Sequence, residues 1–370
     1  MSREADVSKL ILPAQASFHV FSEKLVNDLH IIVLGVIVLC LVSLFLVTIG
    51  LHGRGQSYVT TAALMYLPLL IWVVPAYVIL VPARYLDSRS GLCLCLTTVL
   101  ILEFHVDSRF LNSSAQEFIG NFVTFRFLNS NRGLRGQRPI KDALQADLTA
   151  LQETRVSGNP KDPEYADFMQ VHGIREFVLL SRMPILDATL IQASRSKVIT
   201  AVRYQVAHGL GRFVVCNVRV PRLRDTLRSY KRSVFIWGIL ELPGSPKECR
   251  IAHYQPFWEE QVIMAQDIVD YMAKEKEPVV VVGCFNTPFF GPIYRAFANQ
   301  FQDDHLKAGE GTGFTFPGNT HNPMALFPPW LRVDMIFAPQ HWKLLSCETF
   351  ETLSQHRSVF AEFEWARLEP

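Results

Sequence analysis

The sequence predicts an α/β domain preceded by transmembrane α-helices, and three stretches carry that prediction. Ile31 to Leu51 holds no charged residue, and roughly 20 apolar residues suffice to cross a hydrocarbon core as a helix. Phe122 to Leu128 alternates in the manner of a strand. Four consecutive valines, Val279–Val282, are bounded by Pro278 and Gly283. A short β-branched run with turn residues at its ends reads as a strand buried on both faces.

Taken in order, residues 1–30 form a polar, mixed-charge tail, and residues 31–106 a membrane region of two to three spans. After Ile31–Leu51, the run from Thr60 to Pro82 is also uncharged and carries Pro68 and Pro75 inside it; membrane helices tolerate such prolines because neighbouring groups satisfy the freed carbonyls. Ser90 to Val106 is shorter and ends with Glu103 and His105, so it reads as a third span or as an interfacial segment. Arg3, Lys9 and Lys24 in the tail, with Arg84 and Arg89 in the second loop, outweigh Arg54 in the first loop. The positive-inside rule then places the soluble part on the non-cytoplasmic side of a multi-pass protein.

Residues 107–120 read as a linker, and residues 121–370 as the soluble domain. Its first strand ends in Asn129-Ser130-Asn131-Arg132-Gly133, a turn composition. Ile140, Leu144, Leu148 and Leu151 have helical spacing and lead into Gln152-Glu153. Phe177–Leu180 reads as a strand. Val198–Val206 and Arg212–Val220 read as a hairpin closed by Gly209-Leu210. Trp258–Lys274 has the pattern of a helix feeding the valine strand, and Leu331–Phe337 and Val359–Phe363 read as the last strands. Residues 222–250 show no clear period. They open with Arg222, Arg224, Arg228, Lys231 and Arg232, a composition that reads as a solvated or membrane-facing surface.

Composition narrows the function little. A formal charge of +2 gives no global field toward a polyanion, so nucleic acid is a partner that charge does not indicate. The seven cysteines include no C-x-x-C pair and no metal-finger spacing.

Asn129 at a strand end, Leu151-Gln152-Glu153, Leu180-Ser181-Arg182, Asn217, Gly283-Cys284-Phe285-Asn286, Arg332-Val333-Asp334 and Ser354-Gln355-His356 follow one another in residues 122–365, and this ordered set resembles the endonuclease/exonuclease/phosphatase family. Asn129 ends the first strand as the family's first Asn does. Ala150-Leu151-Gln152-Glu153 is similar to its Leu-Gln-Glu, and Leu180-Ser181-Arg182-Met183-Pro184 to its Leu-Ser-Arg-x-Pro. Cys216-Asn217-Val218-Arg219 stands where the family has Asn-x-His-Leu. Gly283-Cys284-Phe285-Asn286 resembles Gly-Asp-Phe-Asn. Arg332-Val333-Asp334-Met335-Ile336-Phe337 resembles Arg-Ile-Asp-x-Ile-Phe, and Ser354-Gln355-His356 resembles Ser-Asp-His. The resemblance implies a four-layer α/β/β/α sandwich of two stacked mixed sheets. It also implies metal-dependent hydrolysis of a phosphate ester, with Mg²⁺ as the hard cation that a carboxylate oxygen would take.

Transferred residue by residue, the resemblance makes Glu153 the metal ligand. His356, Asn286, Asp334 and Asn129 become the catalytic set, and Arg219 and Asn217 contact substrate. Three family positions are changed. Cys284 replaces the carboxylate that activates water, Gln355 the one that holds His356, and Arg219 a histidine. A strand-end thiol is an inert buried residue more often than a nucleophile, and losing one acid–base group costs a factor of about 10²–10⁴. Two functions follow: a membrane-anchored phosphoesterase with an altered site, or a pseudoenzyme that binds a phosphate-containing ligand or a partner protein.

Overall fold

The valine strand lies inside a two-sheet sandwich. The computed structural model describes residues 49–66, 122–131, 146–154, 168–192, 198–222, 243–244, 254–319 and 328–366, together with single residues between 28 and 46. The first sheet contains β1 (Phe122–Asn131), β2 (Leu148–Gln152), β3 (Gln170–Ile174), β4 (Phe177–Ser181), β11 (Lys343–Phe350) and β12 (Ser358–Ala366), in the order β11-β12-β1-β2-β4-β3. The second contains β5 (Ile185–Gln192), β6 (Ile199–His208), β7 (Gly211–Arg219), β8 (Val279–Cys284), β9 (Gln302–Asp303) and β10 (Asp334–Ala338), in the order β5-β6-β7-β8-β10-β9. Both sheets are mixed: β1 pairs β2 and β7 pairs β8 in parallel, and the remaining neighbours are antiparallel.

Alternation along β8 explains its composition. Val280 and Val282 point between the sheets, where they join Phe127, Leu148, Val215 and Ile336. Val279 and Val281 point outward and pack with Met264, Ile268 and Val269 of the helix Gln255–Met272. Both faces of β8 are therefore covered, and neither tolerates a polar residue. Helix Pro292–Ala298 adds Ile293 and Phe297 to the same outer cluster. On the outside of the first sheet a smaller cluster unites Leu128, Leu151, Val178 and Leu180 with Phe168.

The strands expected at Phe122, Phe177, Val198, Arg212, Val279 and Val359 are present within a few residues of their expected ends, as is the helix near Trp258. Two expectations are corrected. The helical reading of Ile140–Leu151 fails at its end, because Leu148–Gln152 is strand β2. All five of its residues are buried between parallel β1 and antiparallel β4. An apolar spacing of three to four residues there reflects a strand covered on both faces. The strand expected from Leu331 begins only at Asp334: Leu331 makes an isolated bridge with Phe316, and Arg332 is drawn into a bidentate pair with Asp303 at 2.6 and 2.8 Å.

Among the described residues no helix is long and apolar enough to cross a membrane. The expected spans after Tyr66, the expected linker and most of the polar tail lie outside the described residues. The chain forms two compact units, and the second joins Ile49–Leu67 to Val106–Pro370. The start of the second apolar run is therefore a short helix, Val59–Leu64, whose Ala62 packs on Tyr254 and Trp258. Gln255 clamps it, accepting from Val59 N at 2.8 Å and donating to Ser57 O at 2.8 Å.

Candidate active site

The site forms where strand ends from both sheets meet. In the second sheet Arg219, Cys284 and Asp334 are register partners across β7, β8 and β10. The first sheet brings up the end of β1 (Asn129–Asn131), Gln152 and Glu153 after β2, and His356 just before β12. Gly283 is required because a side chain there would overlap the Val218 carbonyl of the adjacent strand.

Asn129 and Asn217 lie inside this junction and are fully buried. Asn129 donates to Gly283 O at 2.9 Å and to Met335 O at 3.3 Å. Asn217 donates to Leu151 O at 3.1 Å and to Val178 O at 3.3 Å. Each thus ties one sheet to the other. Gln152, which the sequence reading passed over, donates to the carbonyl oxygens of both, at 2.9 and 2.7 Å. Its place beside Glu153 in the Leu-Gln-Glu motif was the available signal. These three amides tie the two sheets together at the mouth.

Glu153 is 3% exposed and adopts a φ of 53°. Its Oε1 accepts from Arg219 Nε at 3.0 Å and its Oε2 from Arg222 Nη2 at 2.9 Å. Asn131 Nδ2 lies 3.4 Å from Oε1, and Arg219 also reaches Glu176 at 3.3 Å. Arg222 was read as part of a solvated surface; it turns inward instead, and no local pattern announces that.

Cys284, Asp334 and His356 are 0%, 1% and 3% exposed. His356 Nδ1 lies 2.7 Å from Asp334 Oδ2 and 3.8 Å from Cys284 Sγ. Burial, with the nearby charges of Asp334 and Glu153, raises the Cys284 thiol well above its ordinary value, so it is a protonated thiol and not a nucleophile. Asp334 holds the His356 ring, and Ser354 Oγ accepts from the His356 backbone N at 3.2 Å.

Asn286 has a φ of 48° and donates through Nδ2 to Val220 O at 2.7 Å. Its carbonyl accepts from Tyr66 at 2.7 Å, and Gln56 donates to the neighbouring Thr287. The 49–66 segment thus buttresses the loop that follows β8. Gly291 permits this approach, since at a φ of 95° a side chain would overlap Gln56 Oε1.

The donor set does not fit Mg²⁺. Both oxygens of Glu153 already accept from guanidinium groups, and the next acidic position of the family's pattern is a thiol. A hard cation needs several oxygen donors, and here it would meet two positive charges beside its one carboxylate. In this structure Glu153 is engaged by Arg219 and Arg222.

Two stacked mixed sheets thus gather polar groups at one end. Residues 127–356 match the model of the endonuclease/exonuclease/phosphatase family; this is more than half of the chain, which belongs to that family. The solved structures similar to it include a Neisseria 3' phosphatase, NExo, bound to a product DNA hairpin. That pair shares 17% identity over 65% of this chain and 100% of the other, with a TM-score of 0.44. The human Nocturnin catalytic domain with bound sulfate is 15% identical over 66% and 96%, with a TM-score of 0.41. A Bacteroides thetaiotaomicron mannosyl-6-phosphatase is 13% identical over 65% and 99%, with a TM-score of 0.44. No curated protein matches the chain.

Proposed function

We propose that this chain is a membrane-anchored family member whose site binds a phosphate-bearing ligand and has lost Mg²⁺-dependent hydrolysis. The observation that carries the reading is the pairing of both Glu153 oxygens with Arg219 and Arg222. Guanidinium groups suit phosphate oxygens, which they meet with planar pairs of N–H donors. Anchoring is supported by the uncharged run Ile31–Leu51. The helical residues described there present Ile31, Leu39 and Phe45 at 67%, 65% and 63% exposure, and a bilayer would cover them.

Hydrolysis is the second reading, and the intact Asp334–His356 pair at 2.7 Å favours it. Calorimetry of the full chain in detergent, with inorganic phosphate as the probe, tests the first. Binding should be independent of Mg²⁺ and should weaken about tenfold or more in Arg219→Ala, the loss of one charge-assisted contact. No binding overturns the reading. So does Mg²⁺-dependent hydrolysis of a generic phosphodiester that Glu153→Ala abolishes.

A further inference from the structure

We infer that Cys284, Asp334 and His356 form a binding site for a thiophilic divalent cation, with Zn²⁺ as the fitting ion. The inference does not rest on the phosphate-binding reading. Among the described residues this is the one set in which three His, Cys, Asp or Glu donor atoms all lie within 4.8 Å of one another, and all three residues are buried. Three strand-end elements fix it. Cys284 and Asp334 are register partners on β8 and β10, and His356 is anchored through its backbone to Ser354 and Thr352.

The spacing suits a tetrahedral ion. Metal–donor distances of about 2.3 Å to sulfur and about 2.0–2.2 Å to nitrogen and oxygen put neighbouring donors about 3.4–3.6 Å apart. The Sγ–Nδ1 separation is 3.8 Å. The Nδ1–Oδ2 separation is 2.7 Å because a hydrogen bond now joins those atoms, and it opens by less than an ångström to admit an ion. Asp334 Oδ1 is buried and has no hydrogen-bond partner among the described residues. A carboxylate facing a neutral thiol and an imidazole, with one oxygen unsatisfied, is an expensive arrangement that a cation relieves.

Donor chemistry selects the ion. Where the family has a hard carboxylate this chain has a sulfur, which moves preference from Mg²⁺ toward zinc. On binding, the thiol proton leaves to solvent, the imidazole proton moves from Nδ1 to Nε2, and the ion gains a thiolate, a nitrogen and a carboxylate oxygen. Three protein donors leave a fourth position to a non-protein oxygen. A second buried thiol supplies an internal contrast. Cys347 donates to Asp304 Oδ2 at 3.2 Å, yet among the described residues no third donor joins them.

The test uses the full chain in detergent, stripped with a chelator and reloaded. One Zn²⁺ per chain should survive desalting in the presence of excess Mg²⁺. Co²⁺ in its place should give a thiolate-to-metal charge-transfer band in the near ultraviolet. Cys284→Ser should remove the band and lower zinc affinity about tenfold or more, whereas Cys347→Ser, at the thiol outside the set, should keep both. X-ray absorption of the zinc-loaded wild type reads the ligands without any variant and should show a single sulfur. No zinc retained, a band that survives Cys284→Ser, or a sulfur count other than one overturns the inference.

Discussion

Two buried carboxylates stand on opposite sides of the same mouth and are treated in opposite ways. Glu153, 3% exposed, faces two arginines and spends both oxygens on them. Asp334, 1% exposed, faces a histidine and a thiol and leaves one oxygen unsatisfied. The first is paired with two guanidinium groups; the second meets an imidazole and a thiol. A family position can therefore keep its residue while its partners in the fold differ from those of a buried neighbour at the same mouth. Reading the site from Glu153 alone predicts a hard-metal enzyme, and reading it from its partners does not.

The sharpest way to break this contrast is Glu153→Ala, which removes the buried carboxylate that two guanidinium groups share. Removing one partner of a buried ion pair costs about 3–5 kcal/mol, and thermal unfolding of the full chain should show a loss of that order. A loss under about 1 kcal/mol would mean that water already shares those arginines. In metal-free protein, Asp334→Ala should cost about 1–3 kcal/mol, the penalty of leaving the His356 donor unmatched. Asp334→Asn keeps an acceptor and should cost about 1 kcal/mol or less. If the two variants melt alike, the pair does not hold His356.

Tyr66→Phe probes the support behind the mouth. It removes one hydrogen bond to the Asn286 carbonyl and should cost about 1 kcal/mol, with faster amide exchange at residues 286–290 as the local readout. Unchanged exchange would show that residues 49–66 do not brace the loop.

A pH effect concerns another buried carboxylate, Asp304, which pairs with Cys347 away from the mouth. Burial first, and then the charge of Asp303, pushes its pKa up to about 7 from the ordinary 3.8. Between those values the folded protein keeps a proton that the unfolded chain has released. Stability from this group is therefore full below about 4 and is lost as pH rises toward 7. Asp304→Asn should flatten that slope in melting temperatures taken from pH 4.5 to 7.5; a parallel slope in the variant would assign it to another group.

What the sequence determined by itself was local or periodic. Val279–Val282 announced a strand covered on both faces because β-branched side chains without polar interruption fit few other places. The hairpin around Gly209-Leu210 and the helix near Trp258 were legible for similar reasons. The ordered motifs placed Glu153, Cys284, Asp334 and His356 in one family site. Tertiary structure alone decided the rest. Leu148–Gln152 became strand because pairing with β1 and β4 overrode a helical spacing. Arg222 closed on Glu153 and Tyr66 reached Asn286 across separations of 69 and 220 residues. Such pairings depend on how sheets and loops pack in space, and a one-dimensional pattern carries no term for that distance.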